Sequence, residues 1–235
     1  WKSTDGGETW QNLSEKILFN YRPPEHDGLD ITYQDCSILV LNKPAGLLSV
    51  PGRAPEHKDC MITRVQQEYP DALIVHRLDM STSGLLVMAR NCAVHREMNR
   101  QFAQRQVKKS YVAVVKGQLE SSQGRIELPL ICDWPNRPRQ IVDHANGKPS
   151  RTDFQVLDFD NNSDTTRIKL KPITGRTHQL RVHMQALGHP ILGDDLYADE
   201  ETLQRADRLL LHASSLSFTH PETLEPVRFC LDVPF

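Results

Sequence analysis

An α+β fold is predicted by three features of the sequence. Short apolar runs with strand character recur at irregular intervals, as at 38–41, 85–89 and 110–116. Two segments place apolar residues at helical spacing: Val94, Met98 and Phe102, then Leu180, Met184 and Leu187. No βα unit repeats along the chain, which argues against a doubly wound parallel sheet.

The elements are expected in this order. Residues 1–28 are polar and acidic and end in Arg22-Pro23-Pro24, so they read as a poorly ordered tail. The body is expected to run from 29 to 235. Residues 38–41 form a buried strand stopped by Lys43-Pro44 and Gly46. Residues 59–69 form a short helix with Ile62, Val65 and Tyr69 on one face, ended by Pro70. Residues 85–89 are a central strand. Asn91 then caps a helix that runs to about Gln106. Residues 110–116 alternate, with Tyr111, Ala113 and Val115 on one side. Between 125 and 159 strands flank a polar excursion, 133–151, whose prolines and Asn146-Gly147 predict a hairpin or finger. A strand at 167–171, a helix at 177–187 closed by Gly188, and late strands at 209–218 and 227–231 complete the chain.

Composition narrows the function. The 235 residues are 38% apolar and 25% charged, an ordinary globular balance. No apolar run approaches the ~20 residues a membrane span needs, and no secretory leader is visible. The five cysteines are scattered with no CxxC pair, so they read as free thiols of a reducing cytoplasm. The net charge of −2 conceals a basic middle: residues 36–193 carry 22 Lys/Arg against 14 Asp/Glu. Such clustering attracts phosphate, although solvated charged faces would give the same count. No dinucleotide, triphosphate-loop, nucleophile-elbow or zinc-protease motif is present, and His178 and His183 are poorly spaced for a shared metal. No cofactor or metal is expected.

Chemistry concentrates in His76-Arg77-Leu78-Asp79-Met80-Ser81-Thr82-Ser83-Gly84, a polar loop between apolar segments. Its hydroxyls and amides are expected to hold Asp79 rigidly; a loop-capping aspartate is the plain alternative. Ser3-Thr4-Asp5-Gly6-Gly7-Glu8-Thr9-Trp10 looks like a single Asp-box, but nothing repeats as a propeller requires.

The 76–84 loop resembles the HRLD signature of the RluA family of pseudouridine synthases. Asn42-Lys43-Pro44-Ala45-Gly46-Leu47, Lys109-Ser110-Tyr111, Gly175-Arg176-Thr177-His178-Gln179-Leu180-Arg181 and His189-Pro190-Ile191-Leu192-Gly193-Asp194 match further family motifs in the same order. The segment from Leu128 to Pro138 is similar to the branch that acts on both large-subunit ribosomal RNA and tRNA anticodon stem-loops. The resemblance covers residue 29 to the end of the chain. It implies a mixed, mostly antiparallel sheet with flanking helices around a central cleft.

The resemblance also implies roles. Asp79 would be the catalytic carboxylate, with Arg176 as its ion-pair partner, since an opposite charge favours the ionised form. Arg176 could equally contact phosphate. Tyr111 would stack on the uracil and pass a proton, though a core aromatic fits the same strand pattern. Leu180 would wall the pocket or simply pack its helix. Arg77 would fill the space left by a flipped base. His76, Thr82, Arg100, Arg105 and Lys109 would contact substrate. Trp134, Asn136, Arg137 and Arg139 on the finger would read an RNA loop. The expected partner is RNA and the expected state is a cytoplasmic monomer. A non-catalytic RNA-binding protein or RNA chaperone on the same fold is the alternative. A glycan-acting enzyme would need a second facing carboxylate, which no motif supplies.

Overall fold

The computed structural model describes residues 21–52 and 54–235. The Asp-box-like motif and most of the expected tail lie outside them. The elements are β1 (Ile31–Gln34), β2 (Ile38–Lys43), a 3-10 turn (Pro55–Lys58), α1 (Met61–Glu68), β3 (Leu73–Ile74), β4 (Ser83–Ala89), α2 (Cys92–Ala103), β5 (Lys108–Lys116), β6 (Gln123–Glu127), β7 (Leu130–Cys132), β8 (Gln140–Val142), β9 (Arg151–Asp160), β10 (Thr165–Pro172), α3 (Gln179–Ala186), α4 (Glu200–Leu203), β11 (Leu211–Thr219) and β12 (Pro226–Cys230). Among the described residues the main sheet runs β1-β2-β4-β11-β5-β10-β9-β6, with β3 beside β4 and β12 beside β11. Every pairing is antiparallel except β4 with the start of β11, at Ser83↔His212 and Gly84↔Ala213. The predicted α+β class and mostly antiparallel sheet are both present.

The sequence explains why β4 lies inside. All seven of its residues are buried. Successive side chains of a strand point to opposite faces. Leu86 and Met88 therefore join Leu39, Leu41 and the α1 residues Met61 and Val65 on one face. Leu85, Val87 and Ala89 join Ile38, Val40 and the α2 residues Val94 and Met98 on the other. Each fully buried aliphatic chain of this kind contributes roughly 1.5–3 kcal/mol. A third core gathers Ala113, Val115, Ile168 and Leu170 beneath Leu180 and Met184 of α3. The finger is a separate two-stranded hairpin, β7 with β8, which pairs Leu130↔Val142 and Cys132↔Gln140. Leu130 packs with Val182, Leu196 and Tyr197 in a fourth, small cluster.

Of the boundaries that differ from the sequence expectation, three have a visible physical cause. The helix capped by Asn91, whose side chain accepts the Val94 N–H, stops at Ala103 rather than near Gln106. Arg105 turns left-handed (φ 59°) and its N–H bonds back to the Phe102 carbonyl, an ending no glycine or proline announces. Helix α3 starts at Gln179, two residues later than expected, because His178 is also left-handed. Residues 21–28, grouped with the tail on composition, are tied to the body at several points. The Tyr21 hydroxyl donates to the Asp59 carbonyl and accepts the Leu48 N–H. Buried Arg64 pairs with Asp59 and donates to the carbonyls of Pro24 and Glu25. No helix among the described residues is long and apolar enough to cross a membrane.

Gly84 sits where the parallel pair begins, with φ +110°. A Cβ there would stand 2.6 Å from the Ala213 nitrogen and closer still to its carbonyl oxygen. Gly84→Ala is expected to destabilise the fold by about 3 kcal/mol or more, read from denaturant midpoints.

Candidate active site

The loop between β3 and β4 is held from below by two buried side chains. Ser49 donates its hydroxyl to the Leu78 carbonyl (2.6 Å) and accepts the Leu78 N–H (3.1 Å). Lys43 has no exposed surface. Its Nζ donates to the carbonyls of Pro44 (2.8 Å), Leu47 (2.6 Å) and Met80 (3.0 Å), which matches its three N–H donors to three acceptors. Backbone bonds from Gly46 N to Met80 O and from Thr82 N to Asp79 O close the turn. Burial pushes the Lys43 pKa down to about 7, Asp79 pulls it up and Arg208 adds to the lowering.

Asp79 itself makes no side-chain hydrogen bond or ion pair among the described residues. The expected grip by neighbouring hydroxyls is therefore replaced by a grip on the backbone either side of it. The carboxylate stands in a cleft of about 780 Å³, within the range of small-molecule pockets. His76, Arg77, Thr82, Arg105, Lys109, Tyr111, Arg176 and Leu180 line the same cleft. Burial first, and Asp79 second, push the Tyr111 phenol well up, so it keeps its proton at neutral pH. The Thr82 hydroxyl is buried without a partner. Burial lowers the Lys109 pKa, and its ammonium packs against Gly175, where a Cβ would lie 3.3 Å from Nζ. His76 accepts the Val87 N–H at Nε2 and stacks on Phe102, so it orders the loop from the α2 side.

The one expected ion pair takes another form. Arg176 does not pair with Asp79: its Nε donates to the Pro149 carbonyl, 3.3 Å away. The loop from 174 to 178 bends on Gln179, which accepts from Thr174 and Arg176 N, and this turns the Arg176 side chain toward the base of the finger. The Asp79 charge raises the pKa of Lys43 and of Arg181, so both cations lie within its field. Arg100 lies outside the cleft lining, engaged by Glu97 and Gln104 on the exposed face of α2. On the finger, Trp134 is 66% exposed with the Arg137 guanidinium 4.4 Å from its ring centroid. Asn136 bonds Asp133, and Arg139 leans over Tyr197. These four stand beside the cleft rather than in its lining, to which the finger contributes Pro138.

Sequence reasoning gave no role to Lys43, Ser49, His178 or Tyr197. Lys43 lay in a quoted motif, and a lysine flanked by a buried strand and a proline was the available signal. Arg181 and Asp194 form a buried ion pair (2.8 Å) that also holds Asp195. Burial works against the Arg181 charge, and Asp194, Asp195 and Asp79 together outweigh it, so the pKa is raised. No group of three or more His, Cys, Asp or Glu among the described residues is placed to hold a metal.

One unpaired carboxylate, a protonated phenol, an apolar wall and several cations share the cleft with a second acid, Asp195, that is tied to Arg181, and this set suits chemistry on a nucleotide. The chain belongs to the RNA pseudouridylate synthase family, whose members isomerise uridine in RNA: residues 37–186 match that family. The non-catalytic alternative is not favoured. Among the relatives, the dual-specificity RNA pseudouridine synthase RluA of Escherichia coli (strain K12) is 57% identical over 202 residues, 86% of this chain and 92% of that protein. The Yersinia pestis RluA is 56% identical over 205 residues, covering 87% and 99%. The solved structure of human RNA pseudouridylate synthase domain containing 1 superposes with a TM-score of 0.76 at 33% identity, covering 91% of this chain and 87% of that one.

Lys43→Met is expected to cost about 3 kcal/mol or more, because three carbonyls lose a buried cationic donor, and to abolish turnover. Urea titration and product assay check the two effects separately. A pH effect follows from the histidines. Burial, then Lys109, lowers His76 to about 3; burial, then Arg208, lowers His212 to about 4; burial also lowers His178 and His183. The unfolded chain binds these protons near pH 6.5 and the folded chain does not. Their contribution is therefore whole above that pH and is lost as pH falls from 6.5 toward 4. The melting temperature is expected to drop over that window, before most carboxylates titrate.

Proposed function

We propose that this enzyme converts uridine to pseudouridine in both large-subunit ribosomal RNA and tRNA anticodon stem-loops, with Asp79 acting at C1′. The observation that carries the reading is the Asp79 carboxylate, unpaired and backbone-anchored in a cleft with Tyr111 and Leu180. The dual substrate range follows the relatives named above and the likeness at residues 128–138.

The N1–C1′ bond breaks, the uracil turns, C5 bonds to C1′, and the C5 proton leaves while N1 gains one. No atom is lost and no electron changes hands. Asp79 supplies charge or a bond to C1′ as the base departs. Tyr111, protonated, can stack on the uracil and relay a proton by giving up its own as it takes another. Leu180 closes the apolar side. Thr82, whose buried hydroxyl has no partner, lines the cleft behind the substrate, and Lys109 has an unpaired ammonium to offer phosphate. Arg176 can leave a single 3.3 Å bond at small cost to reach either Asp79 or a phosphate once RNA is seated. Arg77 is exposed at the mouth, in place to fill the stack behind a flipped base. His76 acts through the loop, and Arg105 faces the entering strand. Arg100 and the finger residues Trp134, Asn136, Arg137 and Arg139 contact the RNA beyond the target nucleotide. Residues 29–235 form the catalytic unit, with 21–28 strapped against it, and we place the protein in the cytoplasm as a monomer.

Tritium release from uracil C5 in an anticodon stem-loop and in a ribosomal stem-loop tests the substrate range: both are expected to react. Release from neither, with RNA bound, would overturn the proposal. Trp134→Ala combined with Arg137→Ala is expected to weaken binding about tenfold or more and reduce the salt slope by about one. Filter binding at several salt concentrations measures both.

A further inference from the structure

The finger and the catalytic loop at 175–178 meet on one side chain. Tyr197, 4% exposed, accepts the Gln140 backbone N–H at its hydroxyl (2.8 Å), and the same hydroxyl meets His178 Nδ1 at 2.7 Å. Gln140 opens β8, directly after the finger tip. His178 closes the loop that carries Arg176 and sits in the left-handed region at φ 52°. A histidine keeps that sparsely populated conformation when its surroundings hold it. The Tyr197 hydroxyl supplies that hold, and the ring meets the His178 imidazole edge-on at 5.6 Å.

The tyrosine is itself fixed from below. Asp194 accepts the backbone N–H groups of Leu196 and Tyr197 at 3.0 Å each, and pairs with Arg181 of α3. The Arg181 guanidinium lies 5.1 Å from the Tyr197 ring centroid, and Arg139 of the finger approaches from outside at 5.6 Å. The finger is therefore joined to His178 through one ring and one hydroxyl, with the buried Arg181–Asp194 pair behind them.

We propose that Tyr197 is a positioning residue that couples RNA seated on the finger to the placement of loop 175–178, and so raises the rate of isomerisation without adding to RNA affinity. The inference rests on the reading of the finger as an RNA contact. A ring that merely filled the cluster of Leu130, Val182 and Leu196 would not need its hydroxyl shared between two segments that differ in function.

The test uses Tyr197→Phe, the finger-tip pair Trp134→Ala/Arg137→Ala, and all three changes together. Single-turnover rate at saturating enzyme, RNA Kd and melting temperature are measured on an anticodon stem-loop. Tyr197→Phe is expected to slow the reaction about tenfold while leaving Kd within about twofold. In the finger-tip background the same change is expected to cost almost no further rate, because the coupling is already cut. If Tyr197→Phe lowers the melting temperature, His178→Asn cuts the same bond from the other side with a residue that tolerates the left-handed conformation. It is expected to show the same non-additive loss. A wild-type rate in Tyr197→Phe, or losses that multiply in the combined variant, would overturn the coupling alone. A finger-tip variant that binds and reacts like the wild type would instead overturn the RNA-contact reading of the finger.

Discussion

The ammonium of Lys43 sits beneath the Asp79 loop with no exposed surface, and three backbone carbonyls take its three protons. Two of those carbonyls belong to the loop after β2 and the third belongs to Met80, next to the carboxylate. One buried cation thus ties together two segments nearly forty residues apart, and Ser49 repeats the tie at Leu78. Because the loop is gripped through its backbone, Asp79 needs none of its own bonding capacity to stay in place. A carboxylate fixed by its side chain would have to break those bonds before it could act.

That arrangement is possible because β4 is covered on both faces. Its alternate residues feed two cores, capped by α1 and α2, so the strand leaving the loop is rigid from its first residue. At Gly84 the backbone passes so close to Ala213 that a side chain has no room, and β11 thereby locks the exit of the loop. The opposite wall is built differently. Helix α3 rests on the third core through Leu180 and Met184, while its polar side reaches Asp194 and the buried His183–Ser150–Thr152 network at the foot of the finger. One wall is thus anchored by apolar packing and a buried cation. The other is anchored by polar contacts that connect it to the finger.

Much of the frame was legible in the sequence. The apolar run at 85–89, the Asn91 cap, the alternation at 110–116 and the helical spacing of Leu180 and Met184 all reappear as elements, since each is set by local pattern. The failures share a cause. Arg105 and His178 end or delay helices by adopting left-handed backbone without glycine, so no residue type marks the boundary in the sequence. Tyr21 and Arg64 bind the segment at 21–25 through carbonyls that composition cannot reveal. Asp79, Tyr111, Arg176 and Leu180, which the motifs single out, line one cleft. Pairing within the cleft was not legible, because Arg176 bonds Pro149, and Lys43, which faces Asp79 from the interior, reads in sequence as an ordinary charged residue after a strand.

The account turns on Asp79 as a group free to act at C1′, held in place by its backbone rather than by its own side chain. Asp79→Asn keeps the shape and removes the charge, so the most direct measurement is single-turnover pseudouridine formation by that variant, with RNA Kd and melting temperature recorded on the same preparation. The account predicts an unchanged fold, RNA binding within a few-fold of the wild type, and no detectable product. Product formed at a rate near that of the wild type would contradict it.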